Sequence, residues 1–588
     1  MKSFLKYVLA TVIGVFIVAI FLCFTFFAAV IALNTKVGET PKVRDNSVLR
    51  LTLDKPIRDR VSMDSPFGKI NPFGRRESLI RILQAIRYAK NDDKIKGISI
   101  EPGATVAGIT QLGEIRRAIA NFEKSGKFVL AYSDRYSQGG YYVSTEADSI
   151  YTSPLGTVDL KGLSASVAYF KDFGDRYGVH FEVIRHGKFK AAVEPFLQDT
   201  MSAANREQLT ALLGSIWKNT SKDIAQSRGL RDEAVQIATD SLYGLFTDKA
   251  QQVHLIDKAI YRDAYEDILR NRLGLEPTEK ISFVSPESYR PADQSSHTSD
   301  DQIAVVFAQG EIVYNRAENE NFIGQVTFQK TFKALRENKN VKAVVLRINS
   351  PGGSALASEL IWREIALTKK RKPVVVSMGD YAASGGYYIA CGADEIFAEP
   401  NTITGSIGVF SILPDAKALA SHHGVQTAVV QTNAHSHQYG LTTGISQSFR
   451  KILQKCTANF YDTFISRVAE GRGLPKAYVD SIAQGRVWAA GDALRLKLID
   501  RLGTLDAAIA AAAESANISD YEVVDYPKYR EPILKLLDEL TKGVGIQAKG
   551  ELLQAELGAE GYKAYTRLKR LGTYKGPIAL LPFTLHFD

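Results

Sequence analysis

Gly379-Asp380-Tyr381-Ala382-Ala383-Ser384-Gly385-Gly386-Tyr387-Tyr388 is the stretch on which the reading of this chain turns. A β-rich run, Pro373-Val374-Val375-Val376-Ser377, leads in, and Tyr387-Tyr388-Ile389-Ala390-Cys391 leads out as an apolar helix. Ser384 is therefore expected where a strand ends and a helix begins. Gly385 and Gly386 carry no Cβ, so another backbone or a bound molecule can approach closely there. The first N–H groups of the helix lack intrahelical partners and would face whatever Ser384 attacks, a ready site for an anion. A tight strand-to-helix turn without chemistry has the same local signature, so the stretch alone leaves both readings open.

Further out, the chain alternates. Val48–Leu53 reads as a strand, Glu77–Lys90 as a helix, Ile95–Ile100 as a strand, Gln111–Ser125 as a helix and Phe128–Ser133 as a strand. This is the pattern of parallel βαβ units in an α/β fold. The next residues, Gln138-Gly139-Gly140-Tyr141-Tyr142, repeat the opening stretch. An offset of 246 carries Gly139, Gly140, Tyr141 and Tyr142 onto Gly385, Gly386, Tyr387 and Tyr388. It also carries Ala147, Asp148, Ile150 and Pro154 onto Ala393, Asp394, Ile396 and Pro400, and Gly178-Val179 onto Gly424-Val425. One offset held over so many positions means a tandem duplication of a whole domain. The expected units are a start and anchor (1–34), a first repeat (46–285), a linker (286–301), a second repeat (302–525) and a tail (526–588).

Composition narrows the function. The chain has 588 residues, 45% of them apolar, which supplies several cores. A net charge of +9 is modest for this length, and no basic stripe interleaved with aromatics points to nucleic acid. Three cysteines and nine histidines build no ligand spacing, so neither a metal nor another cofactor is expected. Val8–Leu33 holds 26 residues without a charge, long enough to cross a bilayer and too long for a cleaved leader. Lys2 and Lys6 precede it, so the reading is an uncleaved single-pass anchor with the bulk of the chain on the outer, periplasmic face of a bacterial inner membrane.

The two copies differ where chemistry would sit. Ser384 of the second copy is Gln138 in the first. Ser350-Pro351-Gly352-Gly353-Ser354 follows a strand in the second copy, against only Pro102-Gly103 in the first. Conversely, the first copy has Gly187-Lys188-Phe189-Lys190-Ala191-Ala192-Val193-Glu194-Pro195-Phe196, whereas Asn433–Gly440 of the second holds no lysine. Each copy has lost what the other kept, as two halves of one shared site would. A serine needs a base, and a buried lysine can serve because burial disfavours its charged form. Lys190 has the apolar neighbours, although Lys188 would share its face if the segment were a strand. Paired backbone N–H groups after the nucleophile and in the Pro351-Gly352-Gly353 turn would bind the oxyanion.

These residues resemble the signal peptide peptidase A (protease IV) family in its long, duplicated, membrane-anchored form. The resemblance rests on Ala383-Ser384-Gly385-Gly386-Tyr387, Ser350-Pro351-Gly352-Gly353, Thr404-Gly405-Ser406-Ile407-Gly408 and the Lys190–Phe196 run, and spans roughly 48–502. It implies tandem crotonase/Clp-protease-like domains and a Ser/Lys-dyad serine peptidase. Ser384 would be the nucleophile, Lys190 the general base, Gly353 and Gly385 the oxyanion hole, and Ser406 a partner of the lysine. It implies signal peptides as substrates and a homotetramer at the membrane. A crotonase-type acyl-CoA enzyme and a catalytically vestigial membrane-anchored scaffold or binding protein are the competing readings.

Overall fold

The computed structural model describes residues 43–61, 76–289, 299–315, 321–529 and 578–580, with a few isolated positions elsewhere. The segment read as an anchor lies for the most part outside them. Among the described residues, no helix is long and apolar enough to cross a membrane.

Each half is built on a mainly parallel sheet, and the two sheets share one strand order. In the first half the order is Lys258–Ala259, Ser149–Thr152, Phe128–Tyr132, Ile95–Ile100, Ser47–Leu51 and Ser282–Val284, every neighbour parallel. In the second half Arg501–Leu502, Glu395–Ala398, Val374–Ala383, Val341–Ser350, Gln302–Gln309 and Glu522–Tyr526 follow one another in the same way. Strands buried on both faces read as continuous apolar runs, which is why Ala343-Val344-Val345-Leu346 and Val374-Val375-Val376 carry no polar alternation. The opening stretch behaves as its sequence predicts, except that the strand runs on through Ala383 before the helix Gly385–Ala390.

The duplication extends to individual hydrogen bonds. The Tyr141 hydroxyl donates to the Leu255 carbonyl at 2.8 Å, and that of Tyr387 to the Leu498 carbonyl at 2.8 Å. Asp148 accepts from Val129 N–H, and Asp394 from Val374 N–H, each at 2.8 Å. Both copies carry a 26-residue helix, Ala203–Arg228 and Gln447–Arg472, capped by Ser202 or Ser446 and stopped by a left-handed Gly229 or Gly473.

Two of the contacts between the halves position the site. A third sheet takes strands from both, and His180–His186 pairs antiparallel with Val409–Asp415 over seven residue pairs. A polar cluster is buried between the halves. Arg347 donates to Asp59 at 2.8 Å and to Ser377 at 3.0 Å, and pairs with Glu114. Asp380 accepts from the N–H groups of Thr110 (2.9 Å) and Gln111 (3.4 Å) at the start of the helix Ile109–Glu123. Asn349 bridges Asp59 and Asp380. Asp59 and Glu114 belong to the first half, and Arg347 and Asp380 to the two central strands of the second. The strand that leads to Ser384 is thus clamped to the half that carries Lys190.

Candidate active site

Ser384 sits at the top of its strand with φ 55°, ψ −114°, outside the helix that begins at Gly385. A non-glycine residue held there stores strain of order 1–3 kcal/mol, kept in place by the surrounding structure. Its N–H donates to the Gly405 carbonyl at 2.8 Å, and its own carbonyl accepts from Tyr388 N–H at 2.9 Å. The strain turns Oγ out of the strand and toward the first half.

Lys190 comes from the other direction. The segment is not a strand at this point: the strand His180–His186 ends, Gly187 turns the chain, and a 3-10 helix begins at Ala191. The two lysines therefore part company. Lys188 is exposed and its amine rests over the Phe189 ring, whereas Lys190 is fully buried. Nζ of Lys190 lies 2.7 Å from Ser384 Oγ, 3.0 Å from the Ser406 carbonyl oxygen and 3.0 Å from Ser406 Oγ. Burial pushes this ammonium well below the usual lysine range, and among the described residues no carboxylate offsets it. The two Ser406 oxygens can each accept an N–H, and an amine that has lost its extra proton then turns its lone pair to the Ser384 hydroxyl.

The lysine's backbone is held from both halves. Phe189 N–H donates to the Gln484 carbonyl at 2.8 Å, and Gln208 donates to the Phe189 carbonyl at 3.1 Å. Gly485 has φ 79°, and a Cβ there would stand 2.7 Å from Lys190 Cβ, so only glycine lets the loop close over the lysine. Sequence reading missed Gln208 and the 484–486 loop.

The glycine turn completes the arrangement. Gly352–Ser354 forms a short strand beside Ile312, and a Cβ built on Gly385 would be 3.2 Å from Gly353 N. The backbones of Gly353 and Gly385 therefore run close together next to Ser384. Gly352 (φ 99°) has no room for a side chain, since its Cβ would meet the Ala579 carbonyl oxygen at 2.1 Å and Gly385 N at 2.7 Å. Ala579 belongs to the tail. The tail holds the apolar run Pro577-Ile578-Ala579-Leu580-Leu581-Pro582-Phe583. Its described part, Ile578–Leu580, is an antiparallel strand on Gly352–Ser354 that also touches Phe410. Ile578 packs with Ala192 and Val193 of the first half and Phe410 and Ile412 of the second.

The equivalent place in the first half is filled. The buried Gln138 amide donates to the Gly162 carbonyl at 3.1 Å and accepts from the N–H groups of Lys161 (3.0 Å) and Gly162 (2.9 Å). Ser436, opposite in sequence to Lys190, lies in an exposed turn. Among the described residues, no group of histidine, cysteine, aspartate or glutamate side chains could hold a metal ion.

Comparison with known proteins shows the family. The model of peptidase family S49 matches residues 121–275 and 366–519, one segment in each half and together more than half of the chain. The chain belongs to peptidase family S49. A second model, of ClpP-like SDH-type serine proteinases, matches residues 294–423 and gives the second half its fold type. The chain is 34% identical over 513 residues to Protease 4 of Haemophilus influenzae, covering 82% of this chain and 83% of that one. It is 35% identical over 520 residues to Protease 4 of Salmonella typhi, covering 86% and 83%. The chloroplastic serine protease SPPA of Arabidopsis thaliana is 31% identical over 518 residues, covering 87% and 75%. This S49 member is a serine peptidase with tandem Clp-protease-like domains.

Proposed function

We propose that Ser384 is the nucleophile and Lys190 its general base, and that the enzyme degrades cleaved signal peptides and similar apolar peptides at the membrane. The observation that carries the dyad is the 2.7 Å approach of a buried amine, with no acidic partner, to the hydroxyl of a strained serine. The neutral amine takes the hydroxyl proton as Oγ attacks the peptide carbonyl. The amides of Gly353 and Gly385 then receive the oxyanion, a contribution of about 3 kcal/mol per donor to barrier lowering. The protonated amine passes its proton to the departing peptide nitrogen, leaving an acyl-enzyme at Ser384. A water then attacks the acyl carbon as Lys190 takes its proton, and that proton passes to Oγ as the C–Oγ bond breaks, releasing the acid product and restoring both the serine and the neutral amine. Ser406 holds the amine by its carbonyl and hydroxyl and keeps the lone pair on Ser384; it is a positioning residue.

The tail strand supports the substrate class. An extended peptide in its place would lie antiparallel to Gly352–Ser354 and set alternate side chains where Ile578 now sits, among Ala192, Val193, Phe410 and Ile412. Those walls favour apolar sequences such as signal-peptide cores. Anchoring by Val8–Leu33 in a bacterial inner membrane, with the catalytic bulk in the periplasm, and assembly as a homotetramer complete the proposal. The test is hydrolysis of a leucine-rich signal peptide by purified Ser384→Ala, Lys190→Ala and Lys188→Ala. The first two are expected to lose at least about 10³-fold in kcat, and the third to keep its activity. Substantial turnover by Ser384→Ala would end the assignment.

A further inference from the structure

Lys190 belongs to the first half, yet a loop of the second half covers it. The Gln484 carbonyl accepts from Phe189 N–H at 2.8 Å, and Gly485 N–H donates to the Ile407 carbonyl at 2.8 Å. The Arg486 carbonyl accepts from Ser406 N–H at 2.7 Å, which fixes the residue whose two oxygens meet Nζ of Lys190. A Cβ on Gly485 would stand 2.7 Å from both N and Cβ of Lys190, and one on Gly408 would stand 2.9 Å from Gly485 Cα and 3.4 Å from Lys190 Cδ. The cover is therefore mostly backbone, and its seal depends on the loop staying where it is.

The side chain of Arg486 ties that loop to the first half. Its guanidinium carbon lies over the Phe189 ring at 4.8 Å from the centroid and over the Trp488 ring at 4.5 Å. Nη1 donates to Glu207 on the helix Ala203–Arg228 at 2.7 Å. Trp488 is fixed in turn, its Nε1 donating to the Ile482 carbonyl at 3.0 Å. Gln208, the residue after Glu207, accepts from Val487 N–H at 3.3 Å. A planar guanidinium suits two aromatic faces and a carboxylate at its edge, where an ammonium would not. Nε of Arg486 is buried with no hydrogen-bond partner among the described residues. An unpaired buried N–H is a cost that packing alone does not call for, and such local conflicts gather at functional positions.

We propose that Arg486 is a positioning residue that keeps the 484–486 loop shut on Lys190 and so keeps water from the amine. This rests on Lys190 acting as the base. The charged and titratable groups around the lysine's turn are Lys188 and Glu194 on its own segment, and Arg185 and His186 from the strand before it. Glu207 comes from the helix and Arg486 from the loop, with Tyr461 and Asp480 meeting Gln484 behind it. Nζ itself meets Ser384 and Ser406, and burial is what depresses it. A loosened loop lets water solvate the ammonium, and the titration of the amine then moves up toward the ordinary lysine range near 10.4. Because the base works in its neutral form, that movement lowers the rate below the midpoint of the pH profile and spares the alkaline plateau.

The test is the pH profile of kcat/KM for a leucine-rich signal peptide, measured on full-length protein in detergent beside Arg486→Ala, Arg486→Lys and Phe189→Leu. Arg486→Lys keeps the charge but not the planar group over two rings. Phe189→Leu keeps Arg486 and its Glu207 partner and removes one ring. Arg486→Ala should raise the midpoint by about one pH unit, so that the rate falls about tenfold below the parent's midpoint and stays within about threefold on the plateau. The other two should move the midpoint in the same direction. A rate that falls equally at every pH, with the midpoint unmoved, makes Arg486 a support of the fold only and overturns the proposal. An Arg486→Lys profile that superimposes on the parent's assigns the effect to charge and overturns it as well. Should Arg486→Ala fail to fold, the midpoint of Phe189→Leu decides, since Phe189 is only half-buried. The underlying reading fails separately: a parent rate that does not rise with pH, or hydrolysis that survives in Lys190→Ala, removes the base and this proposal with it.

Discussion

Replacing Lys190 by methionine gives a prediction with a sign that changes with pH. Desolvation alone pushes the buried amine well below the usual lysine range. In the unfolded chain it is protonated below about pH 10.4. Between its depressed folded value and about 10.4 the unfolded chain holds one proton more, so folding stability rises by about 1.4 kcal/mol per pH unit. With Lys190 neutral in the fold at pH 8, its deprotonation costs about 3 kcal/mol. Methionine fills similar space without that cost and leaves the Ser384 hydroxyl to donate to the Gly408 carbonyl at 3.4 Å, but strands the Ser406 carbonyl and hydroxyl that the amine now satisfies at 3.0 Å. Those two lost hydrogen bonds cost about 2 kcal/mol together. The variant should therefore be about 1 kcal/mol more stable than the parent at pH 8, equal near pH 9 and about 2 kcal/mol less stable above about pH 10. Denaturant unfolding of both proteins from pH 7 to 10.5 measures this, with peptide hydrolysis absent in the variant throughout. A difference that does not vary with pH would mean that Lys190 is charged in the folded protein, and the neutral-base account would fail.

Three further outcomes follow from the same structure. Arg347→Leu leaves Asp59 and Glu114 buried without their cation, and should cost about 3–5 kcal/mol in stability; an unchanged denaturation midpoint would remove this cluster as the clamp between halves. Gln138→Ser in a Ser384→Ala background should restore no hydrolysis, because the position matching Lys190 is the exposed Ser436 of the second half and the first half has only a Pro102-Gly103 turn; probe-sensitive turnover would show a second competent site. Ending the chain at Gly576 removes the strand Ile578–Leu580 from the edge of Gly352–Ser354 and should lower KM for apolar peptides; a lost activity with a lowered melting temperature would show that strand to be a fixed wall of the site.

What the sequence made legible was decided by locality. The strand–Ser384–helix junction, the glycine turn and the lysine run are each written in a few consecutive residues, and duplication supplied an internal control that exposed which copy had lost what. The choice between Lys188 and Lys190 turned on whether a strand continued past His186. Gly187 at φ 108° and the 3-10 helix at Ala191 end it there, a backbone event that alternation alone does not reveal. The polar cluster was illegible because Asp59 and Arg347 are 288 residues apart, and nothing near either signals burial. The same holds for Gln208 and the 484–486 loop, which matter only through the segment they close upon. The tail strand was visible as an apolar run, but its partner edge is a tertiary fact.

The central claim is that one active site per chain is assembled from Ser384 of the second half and Lys190 of the first. The most direct measurement is the rate and site of labelling by a fluorophosphonate, followed by intact mass and peptide mapping between pH 6 and 10. The account predicts a single adduct per chain, on Ser384, formed at a rate that rises with pH to a plateau as Lys190 loses its proton, and absent in Lys190→Ala. Labelling of Ser384 that survives unchanged in Lys190→Ala, or a second adduct in the first half, would contradict it.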